Sequence, residues 1–245
     1  EESFFKNIDK ASFKEHLKKL TERPHVVGSD GNQEVIRYIG EVMKLAGMKV
    51  TNYPYDVYLP KNPGTSLIEI VTPYRDVLNQ KEDIIEDDPF TKDPELWKGW
   101  NAFSGSGDVT AEVVYANYGR KEDFETLKSL GIDVNGKIVI ARYGGNFRGY
   151  KAKFAEANGA SGLIIYTDPQ DSGFTKGLVY PNGPYYNSST IQRGSLLTTD
   201  FTGDPLTPFE PALPIDGKEK IERIDPKNAQ LHTIPVSPIG YGEAE

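Results

Sequence analysis

Two short apolar runs, KIVIARY at residues 137–143 and GLIIY at residues 162–166, constrain this fold more than any other feature. Neither alternates apolar with polar, so each reads as a strand buried on both faces. Residues 150–158 between them carry a helical pattern that Gly159 ends. This strand, helix, strand unit over residues 137–168 is the best-defined supersecondary element of the chain. Its first connection, Gly144-Gly145-Asn146-Phe147-Arg148-Gly149, lacks both G-x-x-x-x-G-K-S/T and G-x-G-x-x-G, so it is a weak nucleotide loop. It reads more simply as a tight turn that needs positive φ. Arg148, held there near a helix N-terminus, is placed to fork onto a carboxylate.

The flanking sequence supplies the rest of an α/β reading. At 245 residues the chain can bury a substantial core, and 11% aromatic content argues against disorder. Residues 12–20 predict a helix capped by Ser12, and Asp30 or Asn32 is placed to cap a second helix carrying Val35, Ile36, Ile39, Val42, Met43 and Leu45. Gly47 then stops that helix. Strands are expected over residues 48–58, 66–72 and 109–115, with a short helix over 120–130. Residues 79–94 are acidic and interrupted by Pro, which predicts an exposed loop. The long stretch 180–212 is dense in Gly, Pro, Asn, Ser and Thr and predicts shaped loops. Residues 233–239 read as an edge strand, since Pro235 and Pro238 cannot donate to a central ladder.

Several chemistries are excluded or weakened by residue type. The net charge is −8 and the basic residues are interspersed with acids, which disfavours a nucleic-acid surface. Without Cys there are neither disulfides nor thiolate metal sites. No Ser sits in a G-x-S-x-G elbow. His16, His25 and His232 lie in unrelated contexts, without the spacing of a zinc motif. No apolar run approaches the ~18 residues of a membrane helix, and no signal peptide begins at Glu1. Asn187-Ser188-Ser189 is a glycan acceptor if the protein is secreted. The loops Gln192-Arg193-Gly194-Ser195 and Gly203-Asp204-Pro205-Leu206-Thr207-Pro208 are turn formers whose carbonyls and hydroxyls also suit calcium.

The segment KIVIARYGGNFRGYKAKFAEANGASGLIIYTDPQD, followed by YPNGP, QRGS, GDPLTP and IPVSPIGY, resembles the glutamate carboxypeptidase II family of zinc peptidases, with its prostate-specific membrane antigen and transferrin-receptor branches. RPHVVGSDGNQEVIRYIGEVMKLAGMKV extends the resemblance to nearly the whole chain, and FRG with GDPLTP sides with the peptidase branch. The resemblance implies an α/β (α+β) architecture in three stretches. Residues 1–56 would be an N-terminal piece of a peptidase-like domain. Residues 57–232 would be a protease-associated domain with a sandwich or barrel-like sheet and flanking helices, and residues 233–245 the return into the peptidase-like domain.

By the same resemblance, Arg148 grips the substrate's C-terminal carboxylate and Ser195, where the family usually has Asn, also contacts it. Thr207 and Glu210 contribute to a calcium site, although TPFEPA departs from the family's TPGYPA. The parent is expected to be a zinc-dependent, glutamate carboxypeptidase-like exopeptidase that removes a C-terminal residue, often acidic, from small extracellular peptides, homodimeric, extracellular or cell-surface, and anchored as a type II membrane protein. Its zinc ligands and dimerising helices are expected in a C-terminal segment outside this chain, which alone is expected to be inactive. The alternative is a non-catalytic interaction module of the transferrin-receptor type.

Overall fold

The computed structural model describes residues 2–6 and 8–245. Its contacts divide the chain into two compact units, Glu1–Tyr53 with Ile84–Leu96, and Pro54–Asp83 with Trp97–Glu245. The first unit is helical: α1 (Glu2–Lys6), α2 (Lys10–Leu20) and α3 (Asp30–Leu45). The cap of α2 is Asp9, not Ser12, because the Asp9 carboxylate accepts from the Ala11 amide at 2.9 Å. The cap of α3 is Ser29, one residue before the expected Asp30, with its hydroxyl accepting from the Asn32 amide at 3.2 Å. A Cβ on Gly31 would lie 2.3 Å from the Pro24 carbonyl, so only glycine lets the Arg23-Pro24 loop pass this close to the helix start. Arg23 ties that loop to Glu34 and Glu95, each at 2.9 Å.

The second unit is built on a four-stranded parallel sheet of order β10–β6–β5–β4. Its strands are β4 (Val113–Tyr115), β5 (Ile138–Arg142), β6 (Gly162–Tyr166) and β10 (Val236–Ile239). β5 and β6 occupy the centre in register, Ile138 opposite Gly162 and Arg142 opposite Tyr166. β10 lies at one edge, where Pro238 costs no interior ladder bond. Val139, Ala141 and Ile165 are fully buried, and α5 (Arg148–Ala157) packs Ala152 and Ala155 into the same core. Val134 and Phe124, the latter from α4 (Lys121–Ser129), complete one side.

Three two-stranded ladders surround this sheet. β1 (Glu69–Ile70) and β2 (Asp76–Val77) are antiparallel, β3 (Asn101–Ala102) and β7 (Gly194–Ser195) are parallel, and β8 (Gly203–Asp204) with β9 (Thr207–Pro208) form a tight hairpin. The architecture is mixed α/β, consistent with the α+β class. Two expected strands are shorter than read: 66–72 contracts to β1, and 109–115 to the three residues that pair with β5. Residues 48–58 form no strand at all, because no neighbouring chain segment ladders with them. Among the described residues no helix is long and apolar enough to cross a membrane.

A candidate anion site at the carboxyl end of the sheet

In a parallel sheet the strand ends point the connecting loops, and any ligand, to one side. β5 ends at Arg142, followed by Tyr143 and the turn Gly144-Gly145, whose φ angles of 93° and 75° fulfil the positive-φ expectation. The chain re-enters a helix earlier than the pattern suggested: Phe147 is the N-cap and Arg148 is the first residue of α5, not part of the preceding loop. Its guanidinium is therefore carried by a rigid element. Nη1 donates to the Ser195 carbonyl at 3.3 Å, and the group lies 5.8 Å from the Tyr143 ring centre and 5.4 Å from that of Phe147. Nε is buried without a partner.

Close approach of two segments creates this arrangement. A Cβ on Gly149 would lie 2.2 Å from the Leu196 carbonyl, and one on Gly194 would lie 2.5 Å from Arg148 Nη1. The β3–β7 ladder holds segment 194–195 in place, and the Tyr143 hydroxyl donates to Asn101 Oδ1 of β3 at 3.2 Å. Burial pushes the Tyr143 phenol up, so it stays a neutral donor.

A polar network supports the turn from behind. Lys151, fully buried one turn into α5, donates from Nζ to the carbonyls of Tyr118 and Gly144 and to Asn146 Oδ1, the last two at 2.7 Å. Burial pulls its ammonium down to about 8, with Arg120 adding repulsion. Arg142 stacks 3.8 Å over the Tyr118 ring and pairs with Asp168 at 3.1 Å. The Tyr118 hydroxyl donates to both oxygens of Asp171 at 3.2 Å. Burial raises the Tyr118 phenol, Arg142 opposes that, and the bond to Asp171 adds to it.

Between the ends of β5 and β6 lies a cavity of about 230 Å³, lined by Arg148, Phe147, Thr167, Asp171, Tyr186 and Gln192 among others. Of the residues singled out by sequence, Arg148 lines it directly. Ser195 touches Arg148 through its main-chain carbonyl, while its hydroxyl accepts from the Leu197 amide at 3.0 Å and is not part of the cavity wall. Thr207 and Glu210 meet each other elsewhere, at β9 and the turn after it: the buried Thr207 hydroxyl donates to the Glu210 carbonyl at 3.1 Å. That pair offers two oxygens of the roughly six to eight that calcium takes. No three His, Asp or Glu side chains gather into a metal-holding group among the described residues. The Thr207 hydroxyl and Glu210 carbonyl are not the His, Cys or carboxylate donors that zinc takes.

Sequence reasoning passed over Lys151, Tyr118, the Arg142–Asp168 pair and Asp171. It also left His232 unassigned; the ring bonds Glu156 at 2.6 Å and the Leu196 carbonyl at 3.0 Å. These groups come from separate segments, so no local spacing announces them.

The comparisons define the class first: residues 109–199 match the PA domain family. Those residues contain β4 through β6, the glycine turn and Arg148–Ser195, so the candidate site is a feature of a PA domain. Beyond that domain, the chain is similar over 97% of its length to the glutamate carboxypeptidase 2 homolog of Caenorhabditis briggsae, at 35% identity. It is 40% identical over 75% of its length to a probable glutamate carboxypeptidase of Arthroderma benhamiae, and 30% identical over its full length to aminopeptidase NAALADL1 of Rattus norvegicus. The chain is a PA-domain homologue of the glutamate carboxypeptidase-like proteins. It spans 32%, 26% and 33% of those three relatives.

Proposed function

We propose that this chain forms the substrate-binding wall of a zinc-dependent glutamate carboxypeptidase-like exopeptidase, with Arg148 anchoring the peptide's terminal carboxylate. The observation that carries the reading is the state of Arg148: a guanidinium fixed at a helix start, opening into a cavity, with no carboxylate of its own chain paired to it among the described residues. A planar fork of donors is the group best suited to hold a carboxylate in one orientation. The helix N-terminus adds favourable potential. Ser195 supports the anchor by accepting from Nη1, and Gly194 leaves room for the guanidinium.

In this reading the zinc that activates water comes from segments outside the 245 residues, and Thr207 and Glu210 give two oxygens to a calcium completed from there. The division at about residues 56 and 232 would separate peptidase-like pieces from the PA domain. An extracellular or cell-surface dimeric parent fits the same reading. The similarity to peptidases named for carboxypeptidase and aminopeptidase action supports a peptide as ligand.

Calorimetric titration of the chain with Nα-acetyl-leucine and with its amide tests the anchor. The acid is expected to bind at least about tenfold more tightly, and Arg148→Gln to abolish the difference. Equal binding of acid and amide would sink the assignment and leave a PA domain used for protein interaction.

A further inference from the structure

We propose that the cavity at the carboxyl ends of β5 and β6 selects a basic C-terminal residue, holding its carboxylate on Arg148 and its side-chain cation on Asp171. This rests on the anchor reading above and adds the charge of the residue that is held. The two lining charges carry the argument. Arg148 spends one N–H on the Ser195 carbonyl and keeps a buried Nε without a partner. Asp171, one connection further along the sheet, accepts from the Tyr118 hydroxyl and has no ion pair among the described residues. Its neighbour Asp168 is different: Arg142 neutralises it at 3.1 Å, and its other oxygen caps the Gln170 amide at 2.8 Å. The cavity is therefore lined by one cation and one anion that form no ion pair among the described residues; Asp171 is exposed, and its charge also reaches the Lys151 ammonium behind the turn.

Both arms are held in place. Arg148 is fixed by α5 and the ladder segment. Asp171 is fixed by Tyr118, whose ring is itself clamped under Arg142 at 3.8 Å. Gly144 runs so close that a Cβ there would lie 3.2 Å from Asp171 Oδ2, so the carboxylate stands directly against the turn that leads to Arg148. About 230 Å³ is smaller than a drug-sized pocket and matches a single residue, not a longer peptide segment. Complementary charge favours such a ligand, and like charge against Asp171 penalises an acidic one. Thr167 and Gln192 line the wall between, supplying neutral hydrogen-bonding groups that fit either end.

The test is calorimetric titration of the full 245-residue chain, at low salt, with Nα-acetyl-lysine, Nα-acetyl-glutamate and Nα-acetyl-lysine amide. Acetyl-lysine is expected to bind about fivefold or more tightly than acetyl-glutamate, and added salt to shrink the gap. Asp171→Asn should erase the preference while leaving acetyl-glutamate no weaker. Tyr118→Phe, which keeps the carboxylate but frees it, should reduce the preference without removing it, and circular dichroism of each variant verifies the fold. Equal binding of the two acids, a glutamate preference, or a preference surviving in Asp171→Asn would overturn the cation assignment while the Arg148 anchor stands. If acetyl-lysine binds no better than its amide, the anchor itself fails and this inference falls with it.

Discussion

Lys151 is the residue on which the site geometry turns. Three acceptors surround one ammonium with three N–H groups, which is complete satisfaction of a buried charge. Lys151→Met would strip the donors from the Gly144 and Tyr118 carbonyls, and we expect a loss of about 3 kcal/mol in urea unfolding at pH 7. The same residue sets a pH signature. Its folded value of about 8 lies below the 10.5 of a free lysine, so the native chain releases this proton first. Between those two values the unfolded chain holds one proton more, and stability rises with pH by up to about 1.4 kcal/mol per unit. The slope should be absent in Lys151→Met when both are unfolded at pH values about one unit apart, from roughly 7.5 to 9.5. Gly194→Ala addresses the opposite side of the site. Its φ of 157° is one that side chains rarely adopt, and its Cβ would lie 2.5 Å from Arg148 Nη1, so urea unfolding should show a loss of about 1–3 kcal/mol while carboxylate binding falls about tenfold by calorimetry. Neither residue was legible in sequence: a lysine on a helix reads as solvated, and a glycine beside Arg193 reads as a turn.

At the scale of elements, α5 is secured at both ends. Its first residue meets Ser195, while Glu156 near its last turn accepts from the Thr233 amide and hydroxyl, the Ile234 amide and the His232 ring. Burial alone would raise the Glu156 carboxyl, but the bonds from His232 and Thr233 prevail and hold it below the usual range. A depressed carboxyl contributes stability above its unfolded value and loses it as pH falls through its folded one. Glu156→Gln should therefore flatten the acid limb of a thermal stability profile below pH ~4.5, the ordinary value of a glutamate. The elements that sequence predicted best are β5 and β6, since continuous apolar runs suit only a strand covered on both faces. The alternation over residues 48–58 misled, because a strand exists only where a partner pairs with it, and pairing is not a local property. The early start of α5 was hidden by Gly149, a poor helix former that is required there by the Leu196 carbonyl at 2.2 Å from its missing Cβ.

At the scale of the molecule, the two units differ in what holds them. In the first, Gly31 is the one buried residue among those described, and Phe13, Leu17, Ile39 and Met43 are all exposed. In the second, β5, β6 and α5 share a continuous apolar core. Hydrogen exchange should separate them: amides of α2 and α3 are expected to exchange through low-energy openings, those of β5 and β6 only through global unfolding. Equal protection in both would overturn that division.

Sequence by itself determined the parallel strand pair, its glycine turn, the edge position of the Pro-bearing strand and the placing of Arg148 beside a helix start. Each follows from burial or backbone freedom within a few residues. Only the tertiary structure decided that Lys151 is buried, that Ser195 meets Arg148 through its carbonyl, and that Asp171 faces the same cavity. Those facts depend on loops distant in the chain meeting at one end of a sheet, and nothing in local spacing encodes which loops will meet.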